Sequence, residues 1–368
     1  CMMLKIKIGE VCDVYDGPHA TPKKIDKGPV YLGIDAITDN GKLNPSGYNY
    51  LSEEDYKIWT KRVTPQYGDL VFSYEATLGR YALIPKDFYG CLGRRLAVVR
   101  PKDERINIKW LYYYFLSPEW SVYIANNTVK GSTVNRISIE DFPNFYIPLL
   151  ERTEQDKIVK VLSAIDEKID NNVNINDNLQ SQLRLIYENM IAKANSNQIK
   201  GNFVTVKEMA DITTGKEDAN FSTVNGKYKF FTCSNVPLQC DEYAFESSSI
   251  LIAGNGDFNV KYYSGKFNAY QRTYVLTASS EYYAILYLAC LYQVNLFKSN
   301  SSGSIVKFIT KSDVENIPLF IPDDISLLQK LNNLLHFQEQ NILENDKLIQ
   351  LRDFLLPMLM NGQATIDN

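Results

Sequence analysis

The stretch that decides the fold is ERTEQDKIVKVLSAIDEKIDNNVNINDNLQSQLRLIYENMIAKAN, residues 151–195. Its apolar residues recur at alternating intervals of four and three, which is typical of one face of a helix in a coiled coil. The register continues through Asn172 and Asn176, so the middle of the seam is polar. The predicted seam residues are Ile158, Leu162, Ile165, Ile169, Leu179, Leu183, Ile186 and Met190.

A second helix of this kind is predicted at the end of the sequence. Gln350-Leu351-Arg352 repeats Gln182-Leu183-Arg184, and Pro357 is expected to kink or end this helix because proline has no amide hydrogen to donate. The two helices are expected to lie antiparallel. The predicted seam of the second helix is Leu328, Leu335, Ile342, Ile349 and Leu356.

The segments before the two helices resemble each other. Glu10, Asp13 and Gly17 recur as Glu208, Asp211 and Gly215. The end of each segment repeats more clearly, since GSTVNRISIEDFPN (131–144) and GSIVKFITKSDVEN (303–316) align without a gap and share Gly, Ser, Val, Ile, Asp and Asn. The order is therefore globular segment, helix, globular segment, helix.

This order predicts an α+β fold with two similar globular domains, separated by two long antiparallel coiled-coil helices and related by a pseudo-two-fold internal repeat. We place the first globular domain, region 1, at residues 1–150 and the central helix at 151–200. The second globular domain, region 2, covers 201–322, and the C-terminal helix covers 323–368.

Composition excludes several classes of protein. The six cysteines are scattered without a CxxC pair and there are only two histidines, so a structural zinc site is not expected. Free thiols are typical of a reducing cytoplasm, and no apolar run reaches membrane-spanning length. The net charge of −4 gives no general attraction for nucleic acid, although Lys and Arg slightly outnumber Asp and Glu in region 1.

Signatures of catalytic sites are missing from the sequence. A Gly-rich cofactor loop, an Asp/Asn-Pro-Pro-aromatic loop and a Walker loop do not occur. Pro322-Asp323 has no following Glu-x-Lys, so a nuclease metal site is not expected, and Asp323 suits a helix N-cap. Asp166, Glu167 and Asp170 are interpreted as solvated charge on the helix. We predict no catalytic residue and no metal ligand.

Loops between the predicted strands carry residues suited to contacting phosphates and base edges. Each of these residues has a structural alternative, since an arginine can equally cap a strand or pair with a carboxylate. In region 1 the candidates are Tyr74, Thr77, Arg80, Arg94, Arg95, Lys130, Ser132, Asn135 and Arg136. In region 2 they are Asn255, Asn259, Lys261, Tyr270, Gln271, Arg272, Ser304 and Lys307.

The helices carry more apolar residues than one seam can bury. These additional residues are Val161, Val173, Ile175, Leu327, Leu334, Leu348 and Leu355. A spacer needs only the seam, whereas the additional positions favour a docking helix from another protein. Asn172 and Asn176 are expected to fix the register of the two helices, and so the spacing of the two globular segments. Replacing both with Leu should stabilise the helices but make this spacing less well defined.

The whole chain resembles the DNA-specificity subunits of type I restriction–modification systems. The most specific matches are the two Gly-Ser…Asp…Asn runs, Gln271-Arg272-Thr273-Tyr274, Gly68-Asp69-Leu70-Val71 and the ending from Leu351 to Gly362. One departure is Arg94-Arg95, which stands where the family usually has Gln-Arg.

The resemblance implies that regions 1 and 2 are target-recognition domains, each reading one half of a split, asymmetric DNA sequence. The helices would fix the unread gap and dock two copies of a modification subunit. That partner would carry S-adenosylmethionine and methylate adenine, and a restriction subunit would add ATP- and Mg-dependent cleavage. No cofactor would belong to this chain.

Two alternatives stay open at the level of sequence. The first is a self-contained enzyme that modifies or cleaves DNA, which turnover by the pure chain would reveal. The second is a coiled-coil scaffold without DNA specificity, for which binding would be absent or independent of sequence.

Overall fold

The structure is a computed structural model, and it describes residues 4–131, 134–256, 258–300 and 308–366. The chain forms two compact units. Unit 1 comprises Cys1–Ile169 and Lys347–Asn368, and unit 2 comprises Asp170–Asp346. Each long helix therefore contributes one part of its length to each unit. Among the described residues, no helix has the combination of length and apolar composition that crossing a membrane requires.

The described part of region 1 contains nine strands and four helices before the central helix. In chain order these are β1 (Lys5–Lys7), α1 (Ile8–Val11), β2 (Cys12–Asp16), β3 (Ile25–Leu32), β4 (Asn49–Tyr50), α2 (Glu53–Trp59), β5 (Leu70–Ser73), β6 (Tyr81–Leu83), β7 (Gly90–Leu92), β8 (Leu96–Pro101), α3 (Ile108–Leu116), α4 (Pro118–Asn127) and β9 (Tyr146–Pro148). The central helix α5 follows at Arg152–Asn195.

The described part of region 2 contains eight strands and three helices before the C-terminal helix. They are β10 (Gly201–Thr205), α6 (Val206–Met209), β11 (Asp211–Thr214), β12 (Tyr228–Phe231), β13 (Leu238–Cys240), β14 (Phe245–Ala253), β15 (Val260–Ala269), β16 (Thr273–Thr277), α7 (Tyr283–Asn300), α8 (Lys311–Glu315) and β17 (Pro318–Pro322). The C-terminal helix α9 covers Ile325–Met360.

The internal repeat is visible in the sheets. Region 1 has an antiparallel sheet in the order β2-β8-β5-β6, and region 2 pairs β11, β16, β14 and β15 in the same order. The parallel pair β3–β7 corresponds to β12 with the end of β15. Strand β15 is continuous, whereas Pro85 follows β6 and a turn from Pro85 to Phe88 separates β6 from β7. The expected fold class is confirmed.

The repeated residues of the sequence have local structural reasons. Glu10 and Glu208 are each the third residue of a short helix. The side chain of each accepts a hydrogen bond from the backbone amide of the residue that precedes the helix, Lys7 for Glu10 and Thr205 for Glu208. Gly17 leaves no room for a side chain, because a Cβ there would lie 2.8 Å from the carbonyl oxygen of Gly93. A Cβ at Gly215 would lie closer still to the carbonyl oxygen of Ala269, so both glycines allow the two sheet segments to approach.

Within unit 1, the beginning of α5 and the end of α9 complete the core of region 1. Ile158 and Leu162 are buried together with Trp110, Trp120 and Leu356. Asp166 accepts a hydrogen bond from the Tyr113 hydroxyl at 2.7 Å and pairs with Arg352 Nη1 at 3.2 Å. Asp166 is therefore an anchoring residue rather than the solvated charge that the sequence suggested.

Within unit 2, the two helices run antiparallel and meet through amide side chains. Asn172 Nδ2 donates to Glu344 Oε2 at 2.8 Å. Asn176 exchanges hydrogen bonds with the backbone and side chain of Gln338, and its side-chain oxygen accepts from Asn341 at 2.8 Å. Gln338 and Asn341 are buried, so the polar middle of the seam involves both helices.

Burial follows the predicted seam closely on α5 and less closely on α9. Ile158, Leu162, Ile165, Ile169, Leu179, Leu183 and Met190 are buried and Ile186 is half-buried. On α9, Leu328, Leu335 and Leu356 are buried, but Ile342 and Ile349 are exposed and do not lie in the seam. Residues repeating strictly every seven drift around a straight helix, and Leu331, Gln338 and Asn341 take the buried positions instead.

The structure also shows how α9 ends and where the additional apolar residues lie. The helix continues past Pro357 to Met360, so the proline lies within its last turn instead of ending it at once. Val173 and Ile175 are exposed, whereas Val161, Leu327, Leu334, Leu348 and Leu355 are half-buried.

Candidate nucleic-acid interface

Three loops of region 1 meet at one end of its four-stranded sheet. The amide of Tyr74, after β5, donates to the carbonyl of Arg95, before β8, at 3.1 Å. The amide of Ile137 donates to the carbonyl of Tyr74 at 2.8 Å, and Glu75 forms a β-bridge with Arg136. The structure therefore brings together the loops after β5, before β8 and around Arg136, which carry the predicted candidates of region 1.

The same three loops meet in region 2 with the same hydrogen bonds. Gly254 donates to the carbonyl of Arg272 at 2.9 Å, and Ile309 donates to the carbonyl of Gly254 at 2.8 Å. Asn255 forms a β-bridge with Phe308. The equivalent positions of the two regions are therefore Tyr74 and Gly254, Glu75 and Asn255, Arg94 and Gln271, Arg95 and Arg272, Arg136 and Phe308, and Ile137 and Ile309.

Some candidates of region 1 are engaged inside the protein. Arg80 Nε pairs with Asp39 at 2.9 Å, and its Nη1 donates to the carbonyl of Ile34. Arg95 Nε lies 3.0 Å from Glu75 Oε1, as an ion pair rather than a well-directed hydrogen bond. Tyr74 is only 4% exposed, and burial, with Asp16 and Glu75 nearby, raises the pKa of its hydroxyl to about 12.

Other candidates of region 1 remain available to a ligand. Arg94, Lys130 and Arg136 are exposed, and within residues 4–131 and 134–169 their side chains have no hydrogen bond or ion pair. Arg94 is held only through its backbone amide, which donates to the Tyr31 hydroxyl at 3.0 Å. Thr77 and Asn135 are exposed beside them. These side chains give region 1 a basic surface suited to phosphates.

The backbone around the Glu75–Arg95 pair is strained. Ala76 has a φ of 69° and Arg95 a φ of 73°, in the left-handed region that non-glycine residues rarely adopt. Such a conformation costs on the order of 1–3 kcal/mol per residue and persists where surrounding contacts enforce it. Strain of this kind concentrates at functional sites, which fits the position of the pair among the loops.

The candidates of region 2 divide in a similar way. Asn255 Oδ1 accepts from Cys233 Sγ at 2.6 Å, and Asn259 donates to the carbonyl of Cys233 at 2.8 Å. Lys261 contacts Asn259 and the carbonyl of Thr232. These contacts hold Asn255, Asn259 and Lys261 against the loop after β12.

The loop before β16 presents the remaining candidates. Gln271 Nε2 donates to Asp218 at 2.8 Å, and Tyr270 is half-buried. Arg272 is exposed, with no hydrogen bond or ion pair to its side chain in the part of unit 2 that the structure describes. Ser132, Ser304 and Lys307 lie outside the described residues.

Region 2 has an open cleft where the three loops meet. Its volume is about 220 Å³, and Phe308 beside it is 60% exposed. The cleft is lined by Thr214, Gly254, Gln271, Arg272, Tyr274, Phe308 and Ile309. Tyr74 occupies the position of Gly254 in region 1, so the two regions present different surfaces at equivalent places.

Glu75 and Phe308 were missed as candidates by the sequence reasoning. Phe308 could have been found, because the gapless alignment of 131–144 with 303–316 places it opposite Arg136. Glu75 carried no such signal, since its partner Arg95 is brought to it only by the sheet register. Among the described residues, no group of three or more His, Cys, Asp and Glu side chains could hold a metal ion.

Comparisons with known proteins give the family. The profile of the type I restriction modification DNA specificity domain matches residues 3–181 and 198–351. The specificity subunit of the type I restriction enzyme EcoDI from Escherichia coli is 35% identical over 169 residues, which cover 44% of this chain and 38% of that protein. The MjaIX specificity subunit from Methanocaldococcus jannaschii is 22% identical over 364 residues, covering 87% of this chain and 83% of that protein.

A solved structure shares the fold. The crystal structure of the S subunit of a type I restriction–modification system from M. genitalium superposes with a TM-score of 0.60, at 19% identity, over 97% of this chain and 96% of that one. The two matched segments, the repeated sheets and this likeness agree. The chain therefore belongs to the family of type I restriction–modification specificity subunits and carries two DNA specificity domains.

Proposed function

We propose that this chain is a non-catalytic, sequence-specific DNA-binding subunit that reads a bipartite, asymmetric target. Region 1 reads one half of the target and region 2 reads the other. The observation that carries the proposal is the recurrence of one loop arrangement in both regions, with Arg95 and Arg272 at the same position. Arg94 and Arg136 are exposed beside Arg95, and Arg272 is itself exposed. Two similar but non-identical readers suit a target with two different halves.

The catalytic chemistry belongs to partner subunits in this proposal. Two copies of a modification subunit supply S-adenosylmethionine and methylate adenine, and a restriction subunit, where present, supplies ATP- and Mg-dependent cleavage. The chain itself holds no cofactor, and it acts in the cytoplasm, where the DNA is. The lack of nuclease and methyltransferase motifs in the sequence favours this division of labour over a self-contained enzyme.

The long helices supply the docking surface for the modification subunits. Beside their buried seams they expose Val173, Ile175, Phe337 and Leu343 in unit 2, and Leu351 and Phe354 in unit 1. Apolar side chains at helical spacing suit packing against further helices. The lengths of α5 and α9 then set the unread gap of the target, because a helix rises about 1.5 Å per residue.

The experiment is to co-express this chain with its modification subunit in cells that lack adenine methylation, and to map the methylated adenines by sequencing. We expect one split target with two defined halves. Omitting this chain should abolish the pattern, and omitting the modification subunit should abolish methylation altogether. Methylation or cleavage of DNA by the pure chain would support the enzyme alternative, and methylation without a defined sequence would support the scaffold.

A further inference from the structure

The equivalence of Glu75 and Asn255 allows the two readers to be compared residue by residue. Glu75 follows Tyr74, whose amide donates to the carbonyl of Arg95, and Asn255 follows Gly254, whose amide donates to the carbonyl of Arg272. Glu75 also forms a β-bridge to Arg136, and Asn255 forms one to Phe308. The arginine beside each of them is also equivalent, Arg95 in region 1 and Arg272 in region 2. The two regions thus share an arginine but differ in the side chain next to it.

Glu75 contacts the side chain of its arginine, whereas Asn255 does not. The Glu75 carboxylate holds Arg95 Nε at 3.0 Å, and the side chains of the pair are 29% and 28% exposed, so both still face solvent. Asn255 instead accepts from Cys233, and the exposed side chain of Arg272 has no partner among the described residues of unit 2. Ala76, which follows Glu75, and Arg95 itself both have a left-handed backbone.

We propose that Glu75 and Asn255 are specificity-determining residues that select the base pair read beside each arginine, a G·C pair in region 1 and an A·T pair in region 2. The inference rests on the proposed function and deepens it.

The donors and acceptors of the side chains support this assignment. With Nε facing Glu75, the two terminal amino groups of Arg95 remain available to donate to O6 and N7 of a guanine. The Glu75 carboxylate is an acceptor only, and it can accept from N4 of the paired cytosine, which lies next to the guanine O6 in the major groove. An A·T pair offers no match, because the thymine O4 would face the carboxylate.

Asn255 has the pattern that suits adenine. One lone pair of its side-chain oxygen is taken by Cys233, and the second can accept from N6 of adenine. Its amide group can donate to N7 of the same base. Arg272 then remains available for a neighbouring phosphate or guanine.

The test uses complexes of the full chain with its modification subunit, and compares Glu75→Gln and Asn255→Asp with wild type by sequencing methylated adenines. Gln keeps the size and the acceptor but adds a donor, so the preference for G·C at one position in the region 1 half should fall by roughly 5- to 150-fold. Asn255→Asp removes a donor, so one A·T position in the other half should be lost. Asp39→Asn removes a carboxylate from another arginine pair and should leave both halves unchanged.

A second measurement needs no variant. Duplexes carrying the wild-type target are altered at the assigned G·C position to inosine·C, which keeps the major-groove groups, or to A·T. We expect full affinity for inosine·C and a loss of roughly 5- to 150-fold for A·T. Equal losses for both would overturn the proposal, since the pair would then be read in the minor groove.

The other outcomes separate the inference from the proposed function. An unchanged methylated sequence in both well-folded variants, or a change in the wrong half, would overturn the inference and leave the function standing. A Glu75→Gln complex that binds all sequences more tightly without changing preference would also overturn it, because Glu75 would then act only by repulsion. Absence of any defined target with the wild-type chain would overturn the function itself.

Discussion

At the residue scale, Asp166 shows how a side chain on a helix surface can hold a domain together. Its carboxylate receives the Tyr113 hydroxyl at 2.7 Å and Arg352 Nη1 at 3.2 Å within unit 1. Replacing it by Ala leaves a buried hydroxyl and a largely buried guanidinium without this partner. We expect Asp166→Ala to destabilise unit 1 by about 1–3 kcal/mol.

Tryptophan fluorescence during urea unfolding checks this prediction, because Trp59, Trp110 and Trp120, the only tryptophans of the chain, all lie in unit 1. The matched control is Glu167→Gln, which changes an exposed carboxylate one residue away and should stay within about 0.5 kcal/mol of wild type. Equal stability of the Asp166 and Glu167 variants would show that the Asp166 contacts contribute nothing.

The stability of unit 2 depends on pH through the carboxyl group of Glu339. Burial raises the pKa of its carboxyl, although the Tyr283 hydroxyl and nearby His336 act in the opposite direction. A pKa raised on folding means that the protonated form is favoured, so stability is greatest below the ordinary pKa and is lost as pH rises through the folded value. The charged form therefore weakens unit 2 at neutral pH.

Glu339→Gln should remove the destabilisation that the buried charge causes at neutral pH, because Gln keeps an acceptor for Tyr283 but carries no charge. We expect slower hydrogen exchange than wild type in residues 325–346 at pH 7, and little difference at about pH 4, where the wild-type carboxyl is protonated. Faster exchange in the variant at pH 7 would show that the charge of Glu339 stabilises unit 2.

At the element scale, the structure reverses the expected effect of removing the seam asparagines. The sequence alone suggested that Leu at positions 172 and 176 would stabilise the helices. The opposite helix, however, presents Gln338 and Asn341, which are buried and hydrogen-bonded to Asn176. Leu at 176 would remove the oxygen that accepts from Asn341 Nδ2 and the amide that donates to the Gln338 carbonyl, and a buried polar group left unpaired costs about 1–3 kcal/mol.

We therefore expect the double Leu variant to be less stable than wild type, and a variant with Leu also at 338 and 341 to recover stability. Hydrogen exchange of residues 170–195 and 325–346 measures both, since these segments lie in unit 2. A double variant that exchanges more slowly than wild type would restore the original expectation.

The sequence predicted α5 better than α9 for a physical reason. The spacing of apolar residues on α5 alternates between four and three and coincides with the buried face. On α9 the predicted seam was the set of apolar residues that recur every seven positions. Two of them, Ile342 and Ile349, are exposed, whereas the polar residues Gln338 and Asn341 are buried. Periodicity of apolar residues cannot identify a buried polar residue, because its partner lies on the other helix.

At the scale of the whole molecule, the repeat was predictable where its residues have local roles and unpredictable elsewhere. Glu10 and Glu208 cap short helices, and Gly17 and Gly215 permit close approach, so these residues recur in the sequence. The sheets correspond just as closely but share few residues, since a strand requires only suitable burial. The pairing of Arg95 with Glu75 depends on sheet register, which a single sequence does not reveal.

The central claim is that regions 1 and 2 each read one half of the target, and exchanging one region tests it most directly. Residues 201–322 are replaced by the matching region of a related specificity subunit with a different target, and the hybrid is expressed with the modification subunit. Sequencing of methylated adenines should show a new half for region 2 and an unaltered half for region 1. Changes in both halves, or in neither, with a complex that still methylates DNA, would contradict the account.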